Sequence, residues 1–318
     1  MNNALSAKDK RIKLVKAGFV TLCWMPFAVL IAFWEIFIGT LLALFSISIF
    51  IFNPKLAKRL RSHAVAFLLN GIIIPIVIET YPFLGTWFDP QAFTDKQRQH
   101  IPILLVHGYG HNSSIWHLFR NRFLRKDPYR LIFTIDLGPI HRCSIEDYAV
   151  QLSRKIEEIR TLTGSSEVHL VGHSMGGVVS AYYLCELSES QGIQVRSLVT
   201  LGSPLQGTKI ASLGIGPCAK GMRLNSPLMQ GTADKKKLVE RLDEKRLTTQ
   251  IFHIGTNVDG IIIPMTSSIC RLNRKGPILT DKEWMYENVG HVSLVYIPEI
   301  TERVIQCIQS SERFERDL

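Results

Sequence analysis

The chain has 318 residues, of which 46% are hydrophobic and 20% are charged, and its formal net charge at pH 7 is +10. This length suits one large domain with an appended segment. The positive charge is concentrated in residues 1–63, which hold nine Lys and Arg residues against Asp9 and Glu35. These basic residues flank an apolar run, a pattern typical of membrane-bordering charge rather than of a nucleic-acid surface. We therefore expect no nucleic-acid partner.

The apolar run covers residues 17–52, and Glu35 is its only charged residue. It is far longer than the core of a signal peptide, about 7–15 residues, and no small-residue cleavage site follows it. A single helix over this run would measure about 54 Å at 1.5 Å per residue, whereas the hydrocarbon core of a bilayer is about 30 Å thick. We therefore predict a transmembrane hairpin within residues 1–63, with its turn near Glu35.

A second, weaker apolar stretch covers residues 64–78 and is interrupted by Asn70, Gly71 and Pro75. These residues favour an interfacial or docking helix, followed by a connector that reaches residue 100. Basic residues on both sides of the hairpin predict that both of its ends lie on the cytoplasmic face. Residues 101–318 would then be cytoplasmic, unless residues 64–78 form a third span and place them on the other side.

From Ile101 onward, strand-like segments alternate with helical ones. Short apolar runs predict strands at 101–106, 131–135, 168–171, 195–201 and 251–255. A capping box formed by Ser144 and Asp147 begins a helix that ends at Thr163 and Gly164, and a closing helix over 292–308 is broken by Pro298. The alternation predicts an α/β fold: a mostly parallel sheet with helices on both faces and a site at the carboxyl ends of its strands.

The pentapeptide Gly172-His-Ser-Met-Gly176 stands between a short apolar strand and an apolar helix. A serine on such a sharp strand-to-helix turn is exposed as a nucleophile, and a third glycine, Gly177, lets the helix pack closely on the strand. The alternative is a glycine-rich corner with no chemical role. The context of strand, turn and helix favours Ser174 as a nucleophile.

A serine hydroxyl needs a general base, and that base needs an acid to orient it. On this kind of turn the expected chain order is Ser, then acid, then His, and His291 meets the last requirement. Asp259 is the preferred acid because it follows the predicted strand 251–255 on a loop. Three other acidic residues between Ser174 and His291 stay open as alternatives: Asp281, Glu283 and Glu287.

The oxyanion of such a reaction needs two backbone N–H donors. We assign one to Met175, which follows the nucleophile, and the other to Tyr109, in the loop after the first strand. Gly108 and Gly110 allow that loop to approach a substrate closely. An ordinary glycine turn is the alternative interpretation of the loop.

Taken together, several motifs give the chain a family resemblance over about residues 100–310. They are His107-Gly-Tyr-Gly110, Gly172-His-Ser-Met-Gly-Gly177, Leu201-Gly-Ser-Pro with Gly207-Thr208, Asp259 with Pro264, and Gly290-His291. The set resembles a bacterial serine lipase/esterase of the α/β-hydrolase superfamily that carries an N-terminal membrane segment. The resemblance implies hydrolysis of acyl esters by Ser174, Asp259 and His291, with no cofactor and no metal. Tyr109 departs from the resemblance, because an aliphatic residue or Phe is frequent at this place.

Residues 205–250 combine glycines with apolar side chains and resemble a lid over the site, with packed scaffolding as the alternative. The resulting prediction is a serine carboxylic-ester hydrolase anchored in a bacterial inner membrane, with the bilayer and a lipid or other acyl ester as its partners. Two alternatives stay open: an acyltransferase that uses the same three residues, and a catalytically silent hydrolase-fold protein that serves as a membrane interaction module. Protein partners and acyl-chain preference are not predicted.

Overall fold

The computed structural model describes residues 29–50, 52–80, 89–90, 92–138, 142–244, 249–269 and 282–313. Its strands are β1 Ile103–Val106, β2 Ile132–Ile135, β3 Glu167–His173, β4 Gln194–Leu201, β5 Gln250–Thr256 and β6 Lys282–Tyr286. Its α-helices are α1 Val29–Ile49, α2 Pro54–Thr80, α3 Asp95–Arg98, α4 His117–Lys126, α5 Ile145–Thr163, α6 Met175–Glu186, α7 Gly216–Gly221, α8 Pro227–Gln230, α9 Leu238–Glu244 and α10 Pro298–Arg313.

The six strands form one parallel sheet in the order β2-β1-β3-β4-β5-β6. The chain adds β2 on one side of β1 and then returns to place β3 on the other side. The strand order therefore reverses between β1 and β3, and ligands bind outside the carboxyl ends of strands at such a point. The loop after β1 and the turn after β3 both reach this position.

Helices cover both faces of the sheet. Leu104 and Val106 of β1 belong to a core that includes buried residues of α5 and α6. Ile103 and Leu105, which point to the opposite face, belong to a second core with α4 and α10. The prediction of a parallel sheet with helices on both faces is confirmed.

Both ends of α5 lie where the sequence predicted them, whereas α10 begins at a residue that was expected to break a helix. The Ser144 side chain accepts from the Asp147 N–H and the Asp147 carboxylate accepts from the Ser144 N–H, so the predicted capping box begins α5. Gly164 ends α5 in the left-handed conformation at φ 77°. Pro298, however, does not break a helix: it opens α10, because proline's missing N–H is tolerated in a first helical turn.

The N-terminal helix pair, α1 and α2, differs from two of the predictions. The turn expected near Glu35 is absent, since α1 runs unbroken through this residue and no glycine or proline lies beside it. The chain instead reverses after α1, where the Asn53 side chain accepts from the Leu56 N–H at 3.0 Å and Pro54 opens α2. Helix α2 also crosses the predicted domain boundary at residue 63, because α2 continues without a break to Thr80.

Candidate active site

Ser174 occupies a sharp turn between β3 and α6, with φ 55° and ψ −124°, a backbone conformation that L-residues rarely adopt. The glycines around it are required by close packing. A Cβ on Gly176 would lie 2.2 Å from the Val106 carbonyl oxygen, and one on Gly172 would lie 2.5 Å from the Gly177 nitrogen. The G-x-S-x-G pattern is therefore the sequence that this turn can accommodate.

The remaining two residues of the predicted set are joined directly. The His291 Nδ1 and the Asp259 Oδ2 are 2.8 Å apart, and both side chains are buried. The other carboxylate oxygen of Asp259 accepts the N–H groups of Ile261 and Ile262, each at 2.8 Å. The carboxylate is thus fixed on both sides, and its position relative to the imidazole is fixed with it.

None of the alternative acids makes this contact in the described residues. Glu287 pairs on the surface with Lys58, at 3.2 Å. Glu283 lies on β6 in register with His253 of β5, and Asp281 lies outside the described residues. His253 of β5 is fully buried, and its Nδ1 lies 2.8 Å from the Thr200 hydroxyl.

Ser174 and His291 line the same cavity, which has a volume of about 330 Å³. Most of its other walls are apolar and come from the segment after β4 and from the loop that carries Asp259. The main apolar contributors are Ile210, Ala211, Leu213, Met222, Ile261, Ile262 and Val292. The cavity can therefore receive an apolar group next to the serine hydroxyl.

One predicted oxyanion donor, Met175, directly follows Ser174, and the other, Tyr109, directly follows Gly108, which packs on Ser174. Met175 is the first residue of α6, so its N–H has no acceptor within the helix and lies at the positive end of the helix dipole. Gly108 approaches Ser174 so closely that a Cβ on this glycine would lie 2.9 Å from the serine Cβ. The Gly108 carbonyl faces the His107 Nδ1 at 2.8 Å, which turns the Tyr109 N–H to the opposite side of the trans peptide.

Two residues that the sequence analysis did not assign support this arrangement. His107 accepts the Leu137 N–H at its Nε2, at 3.0 Å, so its Nδ1 carries the proton that it donates to Gly108. His173 donates from its Nε2 to the His291 carbonyl at 3.1 Å. Both histidines lie inside the motifs quoted above, but the partners of their Nε2 atoms, Leu137 and His291, are distant in sequence.

The buried histidines predict how stability depends on pH. Burial, with a further contribution from His291, lowers the pKa of His173 well below its ordinary value, and burial also lowers the pKa of His107. The unfolded chain therefore binds protons that the folded chain rejects as the pH falls below about 6.5. The free energy of unfolding should decrease by about 1.4 kcal/mol per pH unit for each such histidine.

Denaturant unfolding of the solubilised protein at neutral and mildly acidic pH measures this slope. Replacing His173 by Gln should make the slope shallower, because one proton-rejecting group is lost. A stability that rises on acidification from neutral pH would contradict the assignment.

Comparison with known proteins agrees with this architecture. Residues 101–235 match a family model described as alpha/beta hydrolase fold. The mature form of lipase BlEst2 from Bacillus licheniformis has a TM-score of 0.50 and 20% identity, over 69% of this chain and 94% of that chain. Lipase B from Aspergillus fumigatus has a TM-score of 0.51 and 15% identity, over 67% and 53% of the two chains. The fold is that of the α/β hydrolases.

A curated relative shares part of this sequence. Proline iminopeptidase from Lactobacillus delbrueckii subsp. lactis is 27% identical over 143 residues, which are 43% of this chain and 47% of that protein. The chain therefore spans about half the length of this relative.

The segment predicted to form a lid is hydrogen-bonded to the loop after β1 through Tyr109. The Tyr109 hydroxyl donates to the Ile215 carbonyl at 2.9 Å and accepts the Ile215 N–H at 2.8 Å. Leu213 and Ile215, on the same segment, are 82% and 69% exposed. Tyr109, where the resemblance leads one to expect an aliphatic residue or Phe, therefore links the loop after β1 to an exposed apolar edge beside the cavity.

Proposed function

We propose that the chain is a serine hydrolase that cleaves carboxylic esters of apolar acyl groups through an acyl-enzyme on Ser174. The observation that supports this most strongly is the buried His291–Asp259 hydrogen bond on the cavity that also holds Ser174. A nucleophile, a general base and an acid that orients the base are the three groups that acyl transfer requires.

In the proposed reaction, His291 keeps one proton on Nδ1, toward Asp259, so Nε2 is free to accept a proton. Ser174 Oγ attacks the ester carbonyl and gives its proton to His291 Nε2. The carbonyl oxygen becomes an oxyanion, which the N–H groups of Met175 and Tyr109 stabilise. The imidazolium then protonates the leaving alcohol, and water repeats the sequence on the acyl-enzyme to release the acid.

The cavity lining favours an ester with an apolar acyl chain over a peptide with a free amino terminus. A buried cationic amino group is stabilised by a neighbouring anion, and none of the described residues that line the cavity is acidic. Because one relative is named a proline iminopeptidase, amide hydrolysis is the competing activity that the experiment must also measure.

We propose further that α1 anchors the protein in a bilayer. Val29–Ile49 has a mean hydropathy of 2.2, and at 1.5 Å per residue its 21 residues extend about 31 Å, close to the thickness of a hydrocarbon core. Large apolar side chains are exposed along it, among them Phe33, Trp34 and Phe45. A basic cluster at residues 55–61 directly follows α1, and on this ground we propose a cytoplasmic catalytic domain. A C-terminal reporter enzyme that works only after export should then be inactive.

A substrate panel on the detergent-solubilised full chain tests the proposal. We expect chromogenic esters to be hydrolysed, longer acyl chains to be preferred over acetate, and proline p-nitroanilide to be left intact. Cleavage of the anilide with no ester hydrolysis would replace the proposal by a peptidase. Transfer of the acyl group to added alcohol in preference to water would make the enzyme an acyltransferase.

The Tyr109–Ile215 contact leads to a prediction about access. Tyr109→Phe removes both hydrogen bonds to the lid segment and leaves the backbone N–H in place. We expect Ser174 to react about thirtyfold faster with a bulky fluorophosphonate, since the two lost bonds contribute about 1 kcal/mol each, and at nearly the native rate with a small one. Tyr129→Phe, on the exposed surface away from the cavity, is the control. Equal acceleration with both probes would mean that the hydroxyl does not restrict access.

A further inference from the structure

Helix α2 of the N-terminal pair contacts the loop that carries His291. The Ser293 hydroxyl donates to the Asn70 Oδ1 at 2.9 Å. Gly290 lies against the same side chain, because a Cβ on this glycine would come within 2.4 Å of the Asn70 Oδ1. The residues on both sides of His291 are therefore in contact with one amide of α2.

Two further contacts connect the same face of α2 to the same loop. The Ser62 hydroxyl accepts the Asn288 N–H at 3.1 Å, where Asn288 adopts a positive φ of 62°. Lys58 pairs with Glu287 at 3.2 Å. Lys58, Ser62 and Asn70 recur at multiples of four residues, so they lie along one face of the helix. The loop is thus held at three points before and after His291.

The opposite face of α2 packs on α1. A Cβ on Gly39 of α1 would lie 3.0 Å from the Ala64 carbonyl oxygen, and one on Gly71 of α2 would lie 3.1 Å from the Ala32 carbonyl oxygen. Helix α2 is therefore enclosed between the apolar helix α1 and the His291 loop, and its position depends on both.

We infer that Asn70 is a positioning residue for His291, and that the N-terminal helix pair completes the active site in addition to anchoring it. The inference rests on the proposed function, in which His291 is the general base. Asp259 fixes the imidazole at Nδ1 and His173 fixes the His291 carbonyl. Asn70 fixes the loop from the outside through Gly290 and Ser293. A general base displaced by about 1 Å can lower turnover about a hundredfold.

The test compares Asn70→Leu, which keeps four side-chain heavy atoms branched at Cγ and removes the amide, with Val65→Leu on the exposed face of the same helix. Fluorophosphonate titration counts active sites in the full-length protein, and turnover of a short soluble ester is then expressed per titrated site. We expect kcat per site to be about ten- to hundredfold lower in Asn70→Leu, with KM unchanged and native values in Val65→Leu.

The outcomes separate positioning from a purely structural role. If Asn70 only stabilises the fold, fewer sites will titrate but each will turn over at the native rate, and this result overturns the inference. Ser293→Ala should lower kcat per site as Asn70→Leu does, and the double variant should add little, because the two residues share one hydrogen bond. Failure of the native protein to titrate at all would instead overturn the proposed function, and the positioning role with it.

Discussion

Replacement of Ser174 by alanine is expected to lower kcat for ester hydrolysis by about a million-fold. The hydroxyl is the attacking atom in the proposed reaction, so its loss removes the acyl-enzyme route and leaves only substrate binding and oxyanion stabilisation. Alanine also fits the turn, because it keeps the backbone hydrogen bonds of Ser174. The Ser174 N–H donates to the Leu201 carbonyl at 2.9 Å, and the Ser174 carbonyl accepts the Gly177 N–H at 3.1 Å. The fold should therefore persist.

Ser166→Ala provides a matched control for this variant. Ser166 is exposed and precedes β3, and its carbonyl, which accepts the Gln194 N–H at 2.9 Å, is kept by alanine. Initial rates on a soluble ester, with circular dichroism to verify folding, make the comparison. Substantial hydrolysis by a folded Ser174→Ala protein would remove Ser174 from the mechanism.

Asp259→Asn is expected to lower kcat by about ten-thousandfold. The Asp259 Oδ1 accepts two backbone N–H groups, so asparagine will place its carbonyl oxygen there and its NH₂ group where Oδ2 stood. That NH₂ group is a donor, and it selects the His291 tautomer that carries its proton on Nε2. A protonated Nε2 cannot accept the Ser174 proton, although the geometry of the loop is preserved.

Glu283→Gln, on β6, serves as the control for the acid and should retain native turnover. The pair also separates the candidates that the sequence left open. Near-native kcat in Asp259→Asn, together with a collapse in Glu283→Gln or Asp281→Asn, would assign the acid to that residue instead.

The sequence predicted the parts of the fold and of the candidate site that depend on local rules. The turn at Ser174 could be predicted because only glycines can lie where its neighbours approach the backbone of β1 and α6. Asp259 and His291 could be named from chain order, although their contact joins residues 32 positions apart. The capping box of α5 is a local pattern of the same kind.

The N-terminal helices were predicted less well because their limits depend on tertiary contacts. A single charge at Glu35 suggested a turn, but a lone carboxylate does not interrupt helical hydrogen bonding, and the Asn53–Pro54 pair did so instead. In the sequence, Asn70 only interrupts an apolar stretch. Its partners, Gly290 and Ser293, are more than two hundred residues away, so no local pattern could reveal that it contacts the His291 loop.

Peptide mapping of the protein after reaction with a fluorophosphonate tests the central claim most directly. The account predicts one phosphonylated residue, Ser174, with stoichiometric labelling in the native protein and none in Ser174→Ala. Labelling of a different residue, or a native protein that stays unmodified while folded, would contradict it.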